Sequence, residues 1–129
     1  MLTLFVVQSR ADKLDPGPAV KSFGDDLADE IHFVPNIRGI NDKPKKNEWY
    51  AVIYDDEIID EPLKEGLKVF IELCDVDMLI LVKKSDSDKY FKCPRLFRRS
   101  VELKTDALLP VKEGLNLETV LNGFVHDNN

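Results

Sequence analysis

The sequence predicts an α/β layer fold, a mainly parallel sheet flanked by helices, and three observations carry that prediction. Apolar runs of strand length alternate with helically spaced apolar stripes along most of the chain. Two of the runs, in Leu2 to Gln8 and in Trp49 to Tyr54, are almost wholly apolar, which suits strands covered on both faces. Proline-bearing breakers at Asp15-Pro16-Gly17-Pro18 and around Pro62 stand where helices would begin after strands.

The length of 129 residues fits one domain, 1–129. Surface scaling for this mass gives roughly 7,000 Å² folded against about 21,000 Å² unfolded, so an ordinary core can form without staples. Hydrophobic residues make up 43% and charged residues 33%, a balance that excludes a wholly disordered chain. A net charge of −6 and a pI near 4.9 argue against a dedicated nucleic-acid or anionic-membrane binder. The longest apolar runs are too short to span a bilayer, and Met1-Leu2-Thr3 lacks the basic flank of a secretory signal. Cys74 and Cys93 stand apart with no CxxC pair, which predicts reduced thiols in a cytoplasmic protein rather than zinc ligands.

Taken in order, Leu2 to Gln8 is the first strand. Pro18 opens a helix carrying Ala19, Val20, Phe23 and Leu27, although Gly24 weakens it. Glu30 to Pro35 is a short second strand. Asn36 to Glu48, rich in Gly, Asn, Asp, Lys and Pro, is a loop long enough to mark it for function. Trp49 to Tyr54 is the strongest strand and ends in Asp55-Asp56-Glu57. Asp60 caps a helix with Pro62 in its first turn and Leu63, Leu67, Phe70, Ile71 and Cys74 on one face. Asp77 to Val82 is a strand, and Lys83 to Lys89 a polar turn. Tyr90 to Leu103 gives one or two strands, and Asn116 caps a terminal helix with Leu117, Val120, Leu121, Phe124 and Val125 as its stripe.

The chemistry concentrates in the carboxylates that follow the strongest strand. At the carboxyl edge of an open α/β sheet, hard oxygen ligands such as these would hold Mg²⁺ or Mn²⁺ against a diphosphate. A solvated acidic turn leading into a capped helix explains the same residues. Arg95, Arg98 and Arg99, interleaved with Phe91 and Phe97, suit phosphate or a solvated edge strand. Lys43, Lys45 and Lys46 form a basic run in the long loop. His32 reads as a structural histidine on a strand, since no nucleophile accompanies it.

Asn47-Glu48-Trp49 through Asp55-Asp56-Glu57, followed by Glu61-Pro62-Leu63, resembles the core of family 2 glycosyltransferases of the GT-A fold. Leu4-Phe5-Val6-Val7, Ala28-Asp29-Glu30-Ile31 and Cys93-Pro94-Arg95-Leu96-Phe97-Arg98-Arg99 are similar to further pieces of that family, so the likeness touches most of the chain in scattered segments. The resemblance implies a reduced GT-A domain that binds a nucleotide-sugar with Mn or Mg and transfers the sugar to an acceptor hydroxyl. It places the metal at Asp55, Asp56 and Glu57, and the nucleotide at Ser9, Arg10, Asp12 and Asp55. The family's Asp-x-Asp falls on Tyr54-Asp55-Asp56, so Tyr54 replaces its first aspartate, and the segment that supplies a catalytic base has no counterpart. Asp60 and Glu61 lie near, but no base is assigned. These departures leave a second expectation: a catalytically inactive scaffold or adaptor, with a partner chain or a homo-oligomer, using the Tyr90–Leu103 edge or the terminal helix.

Overall fold

The computed structural model describes residues 1–8 and 15–128. Its elements are β1 (Leu2–Val7), α1 (Gly17–Phe23), β2 (Ala28–Val34), α2 (Arg38–Asn41), β3 (Trp49–Tyr54), β4 (Glu57–Ile59), α3 (Glu61–Leu73), β5 (Met78–Lys84), β6 (Tyr90–Arg98), β7 (Leu117–Thr119) and β8 (Val125–Asp127). The first three strands, the two longer helices and the Asp60 cap fall where the sequence places them.

The expected helix-flanked, mainly parallel sheet is not what forms. The strands build one mixed sheet in the order β2-β1-β3-β6-β5-β8-β4, with β7 beside β5. That sheet curls into a half-barrel, and only about 20% of the chain is helical. Parallel pairing is confined to β2-β1-β3 and to β5 with β7 and β8; β3-β6, β5-β6 and β4-β8 are antiparallel. The physical reason is the short turn at Ser85–Lys89. It closes a β5–β6 hairpin, where a parallel neighbour would need a crossover of a dozen residues or more.

The terminal helix is also replaced, by β7 and β8. Its apolar stripe does not form a face, because Val120 and Val125 are buried while Leu117 and Leu121 are exposed. Asn122-Gly123 interrupts any helix there, and the free side of β5 offers ladder partners to an extended chain.

β1 and β3 are buried on both faces, as their composition requires. Leu2, Leu4, Val6, Trp49, Ala51 and Ile53 pack under α1 and α3, against Phe23, Leu63 and Leu67. Phe5, Val7, Tyr50 and Val52 pack on the other face with Ile40 of α2, Phe97, Val101 and Leu103. Each large side chain removed from water contributes about 1.5–3 kcal/mol, so these two strands anchor the domain. The folded surface is 7072 Å², as the mass predicts.

Two polar clamps tie α3 to the sheet. Asp60 accepts from the Leu63 amide at 3.0 Å, from the Phe124 amide at 3.1 and 3.0 Å, and pairs with His126 Nε2 at 2.9 Å. At the other end, Arg98 donates to the carbonyls of Val76 and Cys74 and lies 4.2 Å from the Trp49 ring centroid. Trp49 itself donates to the Ile71 carbonyl. Gly123 makes the first clamp sterically feasible. A Cβ there would stand 2.2 Å from Asp60 Oδ1 and 2.4 Å from the Leu63 nitrogen, both fixed by the cap. Gly123→Ala is therefore expected to lower stability by about 1–3 kcal/mol, read as an earlier midpoint in urea. An unchanged midpoint would refute the steric account.

Candidate functional site

The acidic corner is organised around a buried ion pair of Glu57 and Arg95. β3 ends at Tyr54 and the chain re-enters the sheet as β4 after only Asp55 and Asp56, on the far side of the curl. Glu57 consequently points inward and is 1% exposed. Arg95 grips it with a fork, Nη1 to Oε1 at 2.6 Å and Nη2 to Oε2 at 2.9 Å, and Lys83 Nζ meets Oε2 at 2.6 Å. The Tyr54 amide donates to Oε1 at 2.9 Å, and Lys83 also pairs with Asp127 at 2.7 Å. Two carboxylates and two cations thus form one closed network.

Burial alone would push the Glu57 carboxyl up. The Arg95 fork, with help from Lys83 and the Tyr54 amide, instead holds it below the usual carboxylate range. Burial opposes the charge of Lys83, but Asp127 and Glu57 beside it raise it above the ordinary lysine value.

Arg95 reaches Glu57 because of a β-bulge. Leu79 pairs with Leu96 and Ile80 with Pro94, so Arg95 is the extra residue on β6 and its side chain is re-aimed into the curl. Pro94, which has no amide to offer, sits at the irregularity, where a sheet tolerates proline.

The residues of the expected ligand set stand as follows. Glu57 is already neutralised by two cations that would repel a divalent ion. Asp55 is buried at 4% exposure, and its Oδ2 has no hydrogen-bond partner. The Asp56 carbonyl accepts from the Asn128 amide. Among the described residues, no three metal-ligating side chains come together. Ser9, Arg10 and Asp12 lie outside the described residues. Asp60 is engaged as the α3 cap, leaving Glu61 exposed beside it.

The arginines do not form a phosphate grip either. Arg95 serves Glu57, Arg98 serves the end of α3, and Arg99 is exposed on the loop that follows. Lys45 is half-buried over the Phe5 and Tyr50 rings and donates to the Ile40 carbonyl, while Lys46 pairs with Asp29. His32 stacks on Phe5, in keeping with a structural role.

A different feature occupies the carboxyl end of the parallel strands. Two hollows of about 410 and 310 Å³ share Ile37, Tyr54 and Asp106 and form one cleft. Val7 and Tyr54, the last residues of β1 and β3, lie at its base. Asn36 to Arg38 form one wall, Thr105 to Leu109 another, and Lys92 to Arg95 close the far end. The Arg95 guanidinium is 5.3 Å from the Tyr54 ring centroid and steadies that ring. Arg38 and Lys92 have no acidic partner among the described residues.

Sequence reasoning pointed to the Asn36–Glu48 loop but not to Arg38, Thr105 or Asp106. The loop after β6 carries no motif, and only its folding back over the sheet brings it to the cleft. No family model matches the chain, and no curated protein matches it either. Among the described residues, no helix is long and apolar enough to cross a membrane.

Glu57→Gln is expected to destabilise the fold by about 3–5 kcal/mol at neutral pH, because it leaves Arg95 buried without its counter-charge. Since the folded pKa of Glu57 is depressed, its contribution is present above the unfolded value of about 4.3 and is lost as pH falls through the folded value. The gap between the wild type and Glu57→Gln should therefore narrow in acid. Denaturant melts from neutral to acidic pH read this directly, and a gap independent of pH would contradict it.

Proposed function

We propose that the protein binds a phosphorylated, ring-bearing small molecule of the nucleotide or nucleotide-sugar class in the cleft at the ends of β1 and β3. Side-chain cations take the part that the resemblance assigned to a divalent metal. The observation that carries this reading is the pairing of an aromatic base, Tyr54, with two cations that have no acidic partner among the described residues, Arg38 and Lys92, in one concave site. Such a site offers a stacking surface and point charges for phosphate oxygens. Asn36, Thr105 and Asp106 add donors and acceptors suited to sugar hydroxyls. Ligands of α/β sheets seat at this edge of the strands for the same geometric reason, since loops there enclose a crevice.

The reading is one of binding rather than transfer. Asp60, one of the two carboxylates that lie near in sequence, is occupied by four hydrogen bonds around the α3 cap. A cytoplasmic setting fits the two free thiols, Cys74 and Cys93. The scaffold reading also has an observation behind it: α3 leaves Val69 and Leu73 exposed on its outer side.

Isothermal titration with UMP, UDP, GDP and UDP-glucose tests the binding reading. At least one of these is expected to give saturable heat that EDTA leaves unchanged. Tyr54→Ala should weaken it about tenfold or more, the effect of losing one base–aromatic stack. Absence of heat with all four, or binding that requires Mn²⁺, would sink the proposal.

A further inference from the structure

The cleft at the ends of β1 and β3 is charged unevenly along its length. Arg38 lines only the hollow of about 410 Å³ and Lys92 only that of about 310 Å³, whereas Ile37, Tyr54 and Asp106 lie where the two meet. Arg95 also borders the smaller hollow, but Glu57 holds both of its Nη atoms. Asp106 is the one acidic side chain lining either hollow among the described residues, and it pairs with neither cation. From end to end the order is therefore cation, then ring and carboxylate, then cation. The hollows also differ in polarity: Asn36 and Thr105 stand with Arg38, whereas Pro94, Ala107, Leu108 and Leu109 wall the side of Lys92.

That order selects among phosphorylated ligands. A chain of linked phosphates laid across the middle would bring its charge against the Asp106 carboxylate, and like charges in a concave site repel. Moved to either end, it would leave the other cation unused. Two phosphates on separate arms of one ring avoid both faults: one anion enters each hollow, and the body between them rests on Tyr54. Resting on the binding reading above, we infer that the cleft takes a ring-bearing molecule with two separate phosphates, as in a nucleoside 3′,5′-bisphosphate. Arg38 grips one phosphate with its planar fork, supported by Asn36 and Thr105, and Lys92 meets the other as a point charge. Asp106 accepts from a hydroxyl or N–H of the body between them, and its charge turns a diphosphate away. A single phosphate takes the Arg38 seat, where donors are more numerous.

Isothermal titration of the full chain with UMP, UDP and uridine 3′,5′-bisphosphate, and with the same three guanosine compounds, tests this. The bisphosphate is expected to bind about tenfold or more tighter than the 5′-monophosphate of the same base, the gain from one further charge-assisted contact. The 5′-diphosphate, with the same number of phosphates, should gain little. Arg38 and Lys92 are exposed, so their alanine variants should keep the wild-type far-ultraviolet spectrum. Lys92→Ala is expected to erase the advantage of the bisphosphate and leave the monophosphate unchanged, whereas Arg38→Ala weakens both. Asp106→Asn should bring the diphosphate closer to the bisphosphate. A diphosphate that matches the bisphosphate on the wild type, or a monophosphate weakened equally by the two alanine variants, would overturn the inference and leave the binding reading standing. Silence from all six compounds would overturn the binding reading itself, and this inference with it.

Discussion

One buried carboxylate decides the shape of this molecule. β3 lies between β1 and β6, whereas β4, two residues later, lies at the far end of the strand order beside β8. A flat sheet cannot place consecutive residues at such distant positions, so the sheet must curl. Glu57 stands where the curl closes, held by Arg95 from β6 and by Lys83 from β5, with Asp127 of β8 completing the charge balance. Removing these ions from water is costly, and the arrangement is tolerable only because each cation finds a carboxylate within hydrogen-bonding distance. Its value lies in geometry: a strand slipped by one residue would strand a bare charge in the interior.

The bulge at Arg95 shows how local irregularity serves that constraint. A regular β6 would alternate its side chains strictly between the two apolar layers, and an arginine at this position would enter the wrong one. An extra residue, with Pro94 at its flank, turns the guanidinium into the curl while Leu96 and Phe97 on one side of it keep to the two cores. The same guanidinium lies near Tyr54, so the network that shapes the sheet also fixes the ring at the base of the cleft.

The sequence was legible where the signal is local. β1 and β3 announce themselves as continuous apolar runs, and α3 through Asp60, Pro62 and its stripe. The meaning of Asp55-Asp56-Glu57 was not legible, because the partners that define Glu57 are 26 and 38 residues away and a carboxylate reads the same whether it faces a metal or an arginine. The last segment misled for a related reason. Leu117, Val120, Leu121, Phe124 and Val125 fit a helical period, yet ladder bonds to β5 and the close approach of Gly123 to Asp60 outweigh that periodicity. The cleft could not have been read either, since its walls come from segments separated by some seventy residues, near Ile37 and Asp106.

The clamp at the end of α3 has a practical side. The chain holds a single tryptophan, and that indole is buried, hydrogen-bonded to the helix it abuts and covered by a guanidinium. Its emission is accordingly an intrinsic gauge of one joint. Any event that lifts the helix terminus off the sheet would change the quenching and polarity sensed by this lone fluorophore, with no dye or label attached.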